Sequence, residues 1–186
     1  MKSFYFPCAI VLIISAALIS QSCKSGKKDS KSSSYTKTIS TNIENLDSLS
    51  KVIPSTWKNL NTVVEGVASS GKYASKIDSV HIFSMLYESK LSNIDNNIPV
   101  GATFSAKGCA LIPDSKAIMV ISVNHDKYYS GVSVDSIFNK VGEWKDIKAS
   151  FKFPNTLKSD DEIKAYVWNQ GKGEFLIDNY KLELIY

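Results

Sequence analysis

The chain predicts an all-β fold, an antiparallel β-sandwich, and three observations lead there. Short apolar segments of period two recur from residue 57 to the end. Turn residues separate them at close spacing. No stretch carries a convincing long helical pattern. Side chains alternate across a strand, so period-two hydrophobicity marks a sheet with one buried face. Many short strands divided by turns pack as a sandwich or barrel.

Residues 61–65 are short and β-branched, and 72–77 follow the turn Ser69-Ser70-Gly71. Residues 80–87 come next, and 100–106 begin after Asn96-Asn97-Ile98-Pro99. The run 116–123 is almost continuously apolar, the pattern of a central strand covered on both faces. Residues 128–134 form a further strand. Residues 143–153 alternate through Trp144, Ile147, Ala149, Phe151 and Phe153. Residues 162–168 are rich in β-formers. Residues 175–186 close the chain with Tyr180, Leu182, Leu184 and Tyr186 on one face, and Lys181 and Glu183 on the other. Gly171-Lys172-Gly173 joins the last two segments and reads as a hairpin loop, too short for a phosphate cradle. Trp57 and Trp144 are assigned to the core. Cys109, beside Ala110, Leu111 and Ile112, reads as a small buried hydrophobe. The span 57–186, about 130 residues, is large enough to bury a core and fold alone.

Upstream the character differs. Lys2 precedes an apolar stretch over residues 4–19, broken by Pro7 and Ser15, and polar residues follow at once. A spanning helix needs about 20 apolar residues. A positive start and a short apolar core are the anatomy of a secretory signal, here residues 1–22. The turn Ser20-Gln21-Ser22-Cys23 resembles the lipobox of bacterial lipoproteins, which implies a lipid on Cys23. Ser20 and Gln21 depart from the usual lipobox, so plain secretion with Cys23 unmodified stays open. Residues 23–56 then read as a lipidated N-terminus and flexible linker, rich in Ser, Lys and Thr, with the run Ser32-Ser33-Ser34. Ile43, Leu46, Leu49 and Val52, three apart, hint at one helical turn that Pro54 would end.

The 186 residues are 44% hydrophobic and 22% charged, an ordinary globular composition with a net charge of +4. Every basic residue besides the histidines is lysine. Arginine is the preferred fork for phosphate and guanine edges, so its absence argues against nucleic-acid recognition. Three cysteines with Cys8 in the signal leave no disulfide framework and no zinc-finger spacing. His81 opens an apolar strand, and His125, in Asn124-His125-Asp126-Lys127, reads as a solvated loop residue. Asp160-Asp161-Glu162 reads as a solvated turn, because adjacent carboxylates point apart and cannot face each other across a sugar. No catalytic pair emerges, and an enzyme is the third-ranked reading.

Several pieces carry a family likeness. They are Trp144, Phe153-Pro154, the acidic turn Ser159-Asp160-Asp161-Glu162, the strand Ile163-Lys164-Ala165-Tyr166-Val167-Trp168-Asn169, and Ile177-Asp178-Asn179. Upstream, Val64-Glu65-Gly66 and Ser70-Gly71-Lys72-Tyr73-Ala74-Ser75 belong with them. Together they resemble the galactose-binding-like jelly rolls, among them carbohydrate-binding modules and the sandwich domains of Bacteroidetes surface lipoproteins. The resemblance implies an outer-membrane lipoprotein in the cell envelope. It also implies a structural calcium near the joined first and last strands, held by about six to eight oxygens. The matching positions are Glu65, the turn carbonyls at Gly71 and Lys72, and Asp178. Asn179 stands where a second Asp is common.

Sugars stack on exposed aromatic faces while polar neighbours bond their hydroxyls. Tyr128 and Tyr129 are adjacent, so one points outward from a strand. Tyr87 and Trp168 are the other candidates, and Trp168 fits the core as well. The first reading is a non-catalytic, lipid-anchored glycan-binding protein. The alternative is a structural or protein-binding subunit of a surface assembly, with a surface protein as its partner.

Overall fold

The computed structural model describes residues 34–44, 56–113, 115–135 and 140–186. The signal segment, Cys23, Leu46, Leu49 and Val52 lie outside the described residues. Two antiparallel sheets pack face to face. The six-stranded sheet runs β3 (Val63–Glu65), β4 (Tyr73–Ile77), β11 (Phe175–Ile185), β6 (Gly101–Ala110) and β9 (Lys145–Lys152). In it, β1 (Thr36–Thr41) also pairs with β11. The five-stranded sheet runs β2 (Trp57–Lys58), β5 (Leu86–Lys90), β10 (Glu162–Asn169), β7 (Ala117–Val123) and β8 (Tyr128–Ser133). The sandwich is therefore as the sequence predicts.

Alternation builds the core. Strand β10 turns Ile163, Ala165 and Val167 inward, and β9 turns Ile147, Ala149 and Phe151 inward. Burying each larger apolar side chain contributes about 1.5–3 kcal/mol. Strand β11 buries Phe175 and Ile177, then Tyr180, Leu182 and Leu184. The change from odd to even positions comes from a β-bulge between Asp178 and Lys181. Asn179 sits there at φ 54°, a left-handed conformation that asparagine tolerates. Strand β7 is central as expected, buried at every position from Met119 to Val123.

A ladder of buried hydroxyls joins the sheets. Ser75 on β4 lies 2.8 Å from the Thr62 hydroxyl and accepts the Met85 N–H at 2.8 Å. Ser84 Oγ donates to the Met85 carbonyl and accepts the Val167 N–H. These bonds satisfy polar groups that would otherwise be stranded in the core.

Four expectations need correction. The linker reading fails for residues 36–41, because β1 pairs along β11 from Tyr180 to Ile185. Ile43 just after it is fully buried and reaches the core. Alternation in so polar a strand carries no hydrophobic signal; β1 forms because β11 offers it an unpaired edge. The stretch Gly171-Lys172-Gly173 is no hairpin, since β10 and β11 lie in different sheets. The segment 80–87 is a regular strand only from Leu86, with one isolated antiparallel bridge of Phe83 to Trp168 before it. Asp78 Oδ1 accepts the N–H groups of Val80 and His81, which turns the chain instead. Trp144 is half-buried outside the main core. It covers a small cluster of Ala74, Cys109 and Leu176 on the outer face of the six-stranded sheet. Burial pushes the Cys109 thiol up, against a nucleophilic role.

Candidate functional site

The outer face of the five-stranded sheet is where aromatic and polar side chains converge. Register places Glu162, Lys164, Tyr166 and Trp168 of β10 on that face. Beside them come Ile118, Val120 and Ser122 of β7, then Tyr129 and Gly131 of β8. Leu86 and Glu88 of β5 flank the other side. The inward positions of β10 are already apolar, so Tyr166 and Trp168 have to point out. Val120 also points out yet is fully buried, in register between Tyr166 of β10 and Gly131 of β8. Tyr129 reaches toward Gly131, where an added Cβ would strike Ile118 Cγ2 at 2.7 Å; glycine keeps that lane open.

Phe83 extends the face. The segment before β5 bonds along β10, with Ser84 N–H to the Val167 carbonyl and Asn169 N–H to the Ile82 carbonyl. This sets Phe83 opposite Trp168, their rings 6.1 Å apart, and edge-on to Tyr166 at 5.5 Å. Below this wall lies a hollow of about 190 Å³, lined by Phe83, Leu86, Ser122, His125, Lys164 and Tyr166. Small-molecule cavities usually hold about 300–1,000 Å³, so this is a shallow groove that covers part of a ligand.

The polar groups are set in advance. Lys164 Nζ lies 2.8 Å from Glu88 and 3.3 Å from Glu162. Its bond to Glu88 raises the ammonium's pKa; burial opposes this, and the two carboxylate charges reinforce it. Burial pushes the Tyr166 phenol up, nearby Tyr129 adds to this, and Ser122 acts against it. Tyr166 therefore stays protonated at neutral pH and can donate.

His125 is brought to the groove by its turn. Asn124 and His125 take φ of 45° and 59°. Asn124 Oδ1 accepts the Glu162 N–H at 2.7 Å, and its Nδ2 donates to Asp161 at 2.6 Å. Asp161 also receives Lys127 Nζ at 2.6 Å and the Lys158 N–H at 2.7 Å. The solvated-turn reading of Asp161 is thus corrected: the residue is only 3% exposed. Burial alone would raise its pKa, but the Lys127 ammonium, the Lys158 amide and Asn124 outweigh it and hold the carboxyl below its usual range.

Of the aromatics named from sequence, Tyr129 is 51% exposed on the groove face, and Trp168 lies half-buried there. Tyr128 is half-buried and packs edge-on against Phe153. Tyr87 is corrected: at 4% exposure, with its ring against Trp57, it has no face to offer a ligand. Sequence reasoning missed Tyr166, Phe83, Lys164 and Ser122; His125 is an exposed turn residue, as read, and also lines the hollow. The alternation of β10 was signal enough for Tyr166. Phe83 and His125 depend on chain turns without a sequence period.

The positions named for metal lie on the other sheet. Asp178 is fully buried at the bulge, and its Oδ2 accepts the N–H groups of Ser69 and Ser70 at 3.0 and 3.1 Å. Its Oδ1 accepts the Asn179 N–H. Glu65 is exposed at the end of β3. The carboxylate against the Gly71–Lys72 turn is that of Glu44, accepting the Lys72 and Tyr73 N–H groups at 2.8 and 3.2 Å. A side chain at Gly71, φ 73°, would collide with it. Burial pushes the Asp178 carboxyl up, its three N–H donors oppose this, and the Glu44 charge adds to the rise. A calcium ion takes about six to eight hard oxygens, while both Asp178 oxygens and Glu44 Oε1 here already accept backbone N–H groups. Among the described residues no cluster of three Asp, Glu, His or Cys side chains exists, so amide, hydroxyl or water oxygens would complete the set.

No family model matches the chain, and no curated protein is similar to it in sequence. Solved structures share its fold. A xylan-binding module, CBM15, is 6% identical with a TM-score of 0.53, over 81% of this chain and 97% of that one. The CBM22-2 xylan-binding domain of Paenibacillus barcinonensis Xyn10C is 15% identical with a TM-score of 0.52, over 78% and 98%. The chain spans 26% of a Clostridium thermocellum xylanase 10B structure holding CBM22-1 and GH10 modules, at 16% identity and a TM-score of 0.49. The shared fold is the β-sandwich of carbohydrate-binding modules.

Proposed function

We propose that this chain is a non-catalytic, lipid-anchored protein that binds an uncharged glycan in the groove of the five-stranded sheet. The observation that carries the reading is the aromatic wall of Phe83, Tyr166 and Trp168 beside Lys164, Ser122 and His125. Pyranose faces stack on such rings, and the polar groups bond hydroxyls. Lys164 is already shared by two carboxylates, so a uronate would meet Glu88 and Glu162 as well as the ammonium. The two similar structures described as xylan-binding make xylan the first ligand to try. A shallow groove supports weak binding, with Kd high micromolar to millimolar, about −4 to −6 kcal/mol. The test is calorimetric titration of neutral oligosaccharides, xylan fragments first, into the full chain. Silence across the series at millimolar sugar, with a protein partner recovered instead, would hand the groove to the surface-assembly reading.

Two further parts belong to this reading. Cys23 carries a lipid anchor at the envelope, most naturally the outer membrane. Cys23→Ser should move the protein to the aqueous phase on detergent partition, and retention in the detergent phase would rule the anchor out. Calcium binds at Glu44 and Asp178, relieving their repulsion where β11 meets the N-terminal segment. At ~100-fold excess over Kd it would add about 2.7 kcal/mol of stability. Identical melting in calcium and in chelator would remove the metal.

A further inference from the structure

We propose that the groove continues over Phe83 into a second hollow, and that the ligand is an extended stretch of glycan chain filling both. The inference rests on the glycan reading and adds a second subsite of its own. That hollow, about 140 Å³, is lined by Asn59, Asn61, Val80, His81 and Ile82, and Phe83 belongs to it and to the first. The two therefore meet at Phe83.

Their line is diagonal. From Ser122 to Phe83 the first hollow crosses from β7 over β10 to the β5 side and shifts from the level of Lys164 to that of Trp168. Two strand spacings of ~4.8 Å and four residues of ~3.3 Å make this roughly 16 Å. No residue of β10 or β7 lines the second hollow, which lies on the β5 side of the first, beyond Phe83. Ligands that end at Phe83 would leave it empty.

The second hollow is also pre-formed. Asp78 caps the Val80 and His81 N–H groups, at 2.8 and 2.7 Å. Asn169 Nδ2 donates to the Asp78 carbonyl at 3.2 Å and to that of Gly173 at 2.8 Å. Asn59 Nδ2 donates to the Ser84 carbonyl at 3.2 Å. A segment held at so many points nevertheless presents Val80 at 80% exposure, with Ile82 and Phe83 exposed beside it. Aliphatic and aromatic groups beside the Asn61 amide and the His81 ring repeat the chemistry of the first hollow: an apolar surface for a ring face, with polar groups for its hydroxyls. Fixing that surface in advance lowers the ordering cost of binding.

The experiment is titration of xylotriose and xylohexaose into the full chain and into an Asn61→Ala/Val80→Ser double variant. Both side chains are exposed, so the variant should melt with the wild type. On the wild type the hexaose should bind about tenfold tighter than the triose, a gap of ~1.4 kcal/mol. In the variant the hexaose should fall to the triose value while the triose is unchanged. Equal affinity for the two lengths on the wild type would overturn the second subsite, as would a length effect that survives in the variant. Binding of neither sugar would instead take down the glycan reading, and this inference with it.

Discussion

The two outer faces of the sandwich share one geometry and differ in chemistry. On the six-stranded sheet, β9 presents Asp146, Lys148, Ser150 and Lys152, and β6 presents Thr103, Ser105 and Lys107. Lys181 and Glu183 of β11 and Thr38 and Ser40 of β1 continue that face. These are short or charged side chains of a solvated surface. On the five-stranded sheet the equivalent positions hold Tyr166, Trp168, Tyr129, Leu86 and Val120, with Phe83 added from outside the strand. Among the described residues the first sheet carries a single aromatic on its outer face, Trp144 over the Ala74, Cys109 and Leu176 cluster, so the fold does not require an aromatic row there. The concentration of aromatics on the second, against ordered polar groups, is not explained by the core and is what the proposed glycan groove rests on.

The largest expected effect tests how the solvated sheet is closed. Ile43→Ala removes a fully buried side chain at the end of β1 and should cost about 2–5 kcal/mol in urea unfolding. A loss below about 1 kcal/mol would mean that the site collapses readily and that the strand adds little to the core.

The two buried aspartates sharpen the contrast next, because each serves one sheet. Asp161→Ala strands the Asn124 and Lys158 donors and should cost about 1–3 kcal/mol. The folded-state pKa of Asp161 is lowered. Its contribution is therefore present above the unfolded value and lost as pH falls through the folded one. The stability gap to Asp161→Asn should close on acidification. The pKa of Asp178 is raised instead. Its ionisation works against the fold as pH rises through the unfolded value toward the folded one. In chelator, Asp178→Asn should gain on the wild type from acid to neutral pH. Parallel pH profiles for the two variants would contradict the assignment.

The smallest stability effect carries the functional contrast. Lys148→Ala, on the solvated face, should change neither melting nor sugar binding beyond about 0.5 kcal/mol. Tyr166→Ala should weaken oligosaccharide binding by about tenfold or more, a loss of ~1.4 kcal/mol. Equal binding by the two variants would mean that the ligand lies elsewhere.

The sequence by itself determined that the chain folds as a β-sandwich, and it located most strands. Alternation records which face of a strand is buried, and it does so locally, as in Ile147-Lys148-Ala149-Ser150-Phe151 of β9. It named Tyr129 and Trp168, which the structure places on the outer face of the five-stranded sheet. Tertiary structure alone decided which sheet each strand joined. It paired the polar β1 with β11, drew Ile43 into the core and sent Gly171-Lys172-Gly173 across between sheets. It also buried Tyr87, put Glu44 rather than Glu65 against the Gly71 turn, and brought Phe83 and His125 to one groove. The physical reason is that these outcomes depend on partners far along the chain: Phe83 meets Trp168, and Asn124 meets Asp161. A period-two pattern specifies inside and outside, but it carries no information about which distant strand lies alongside.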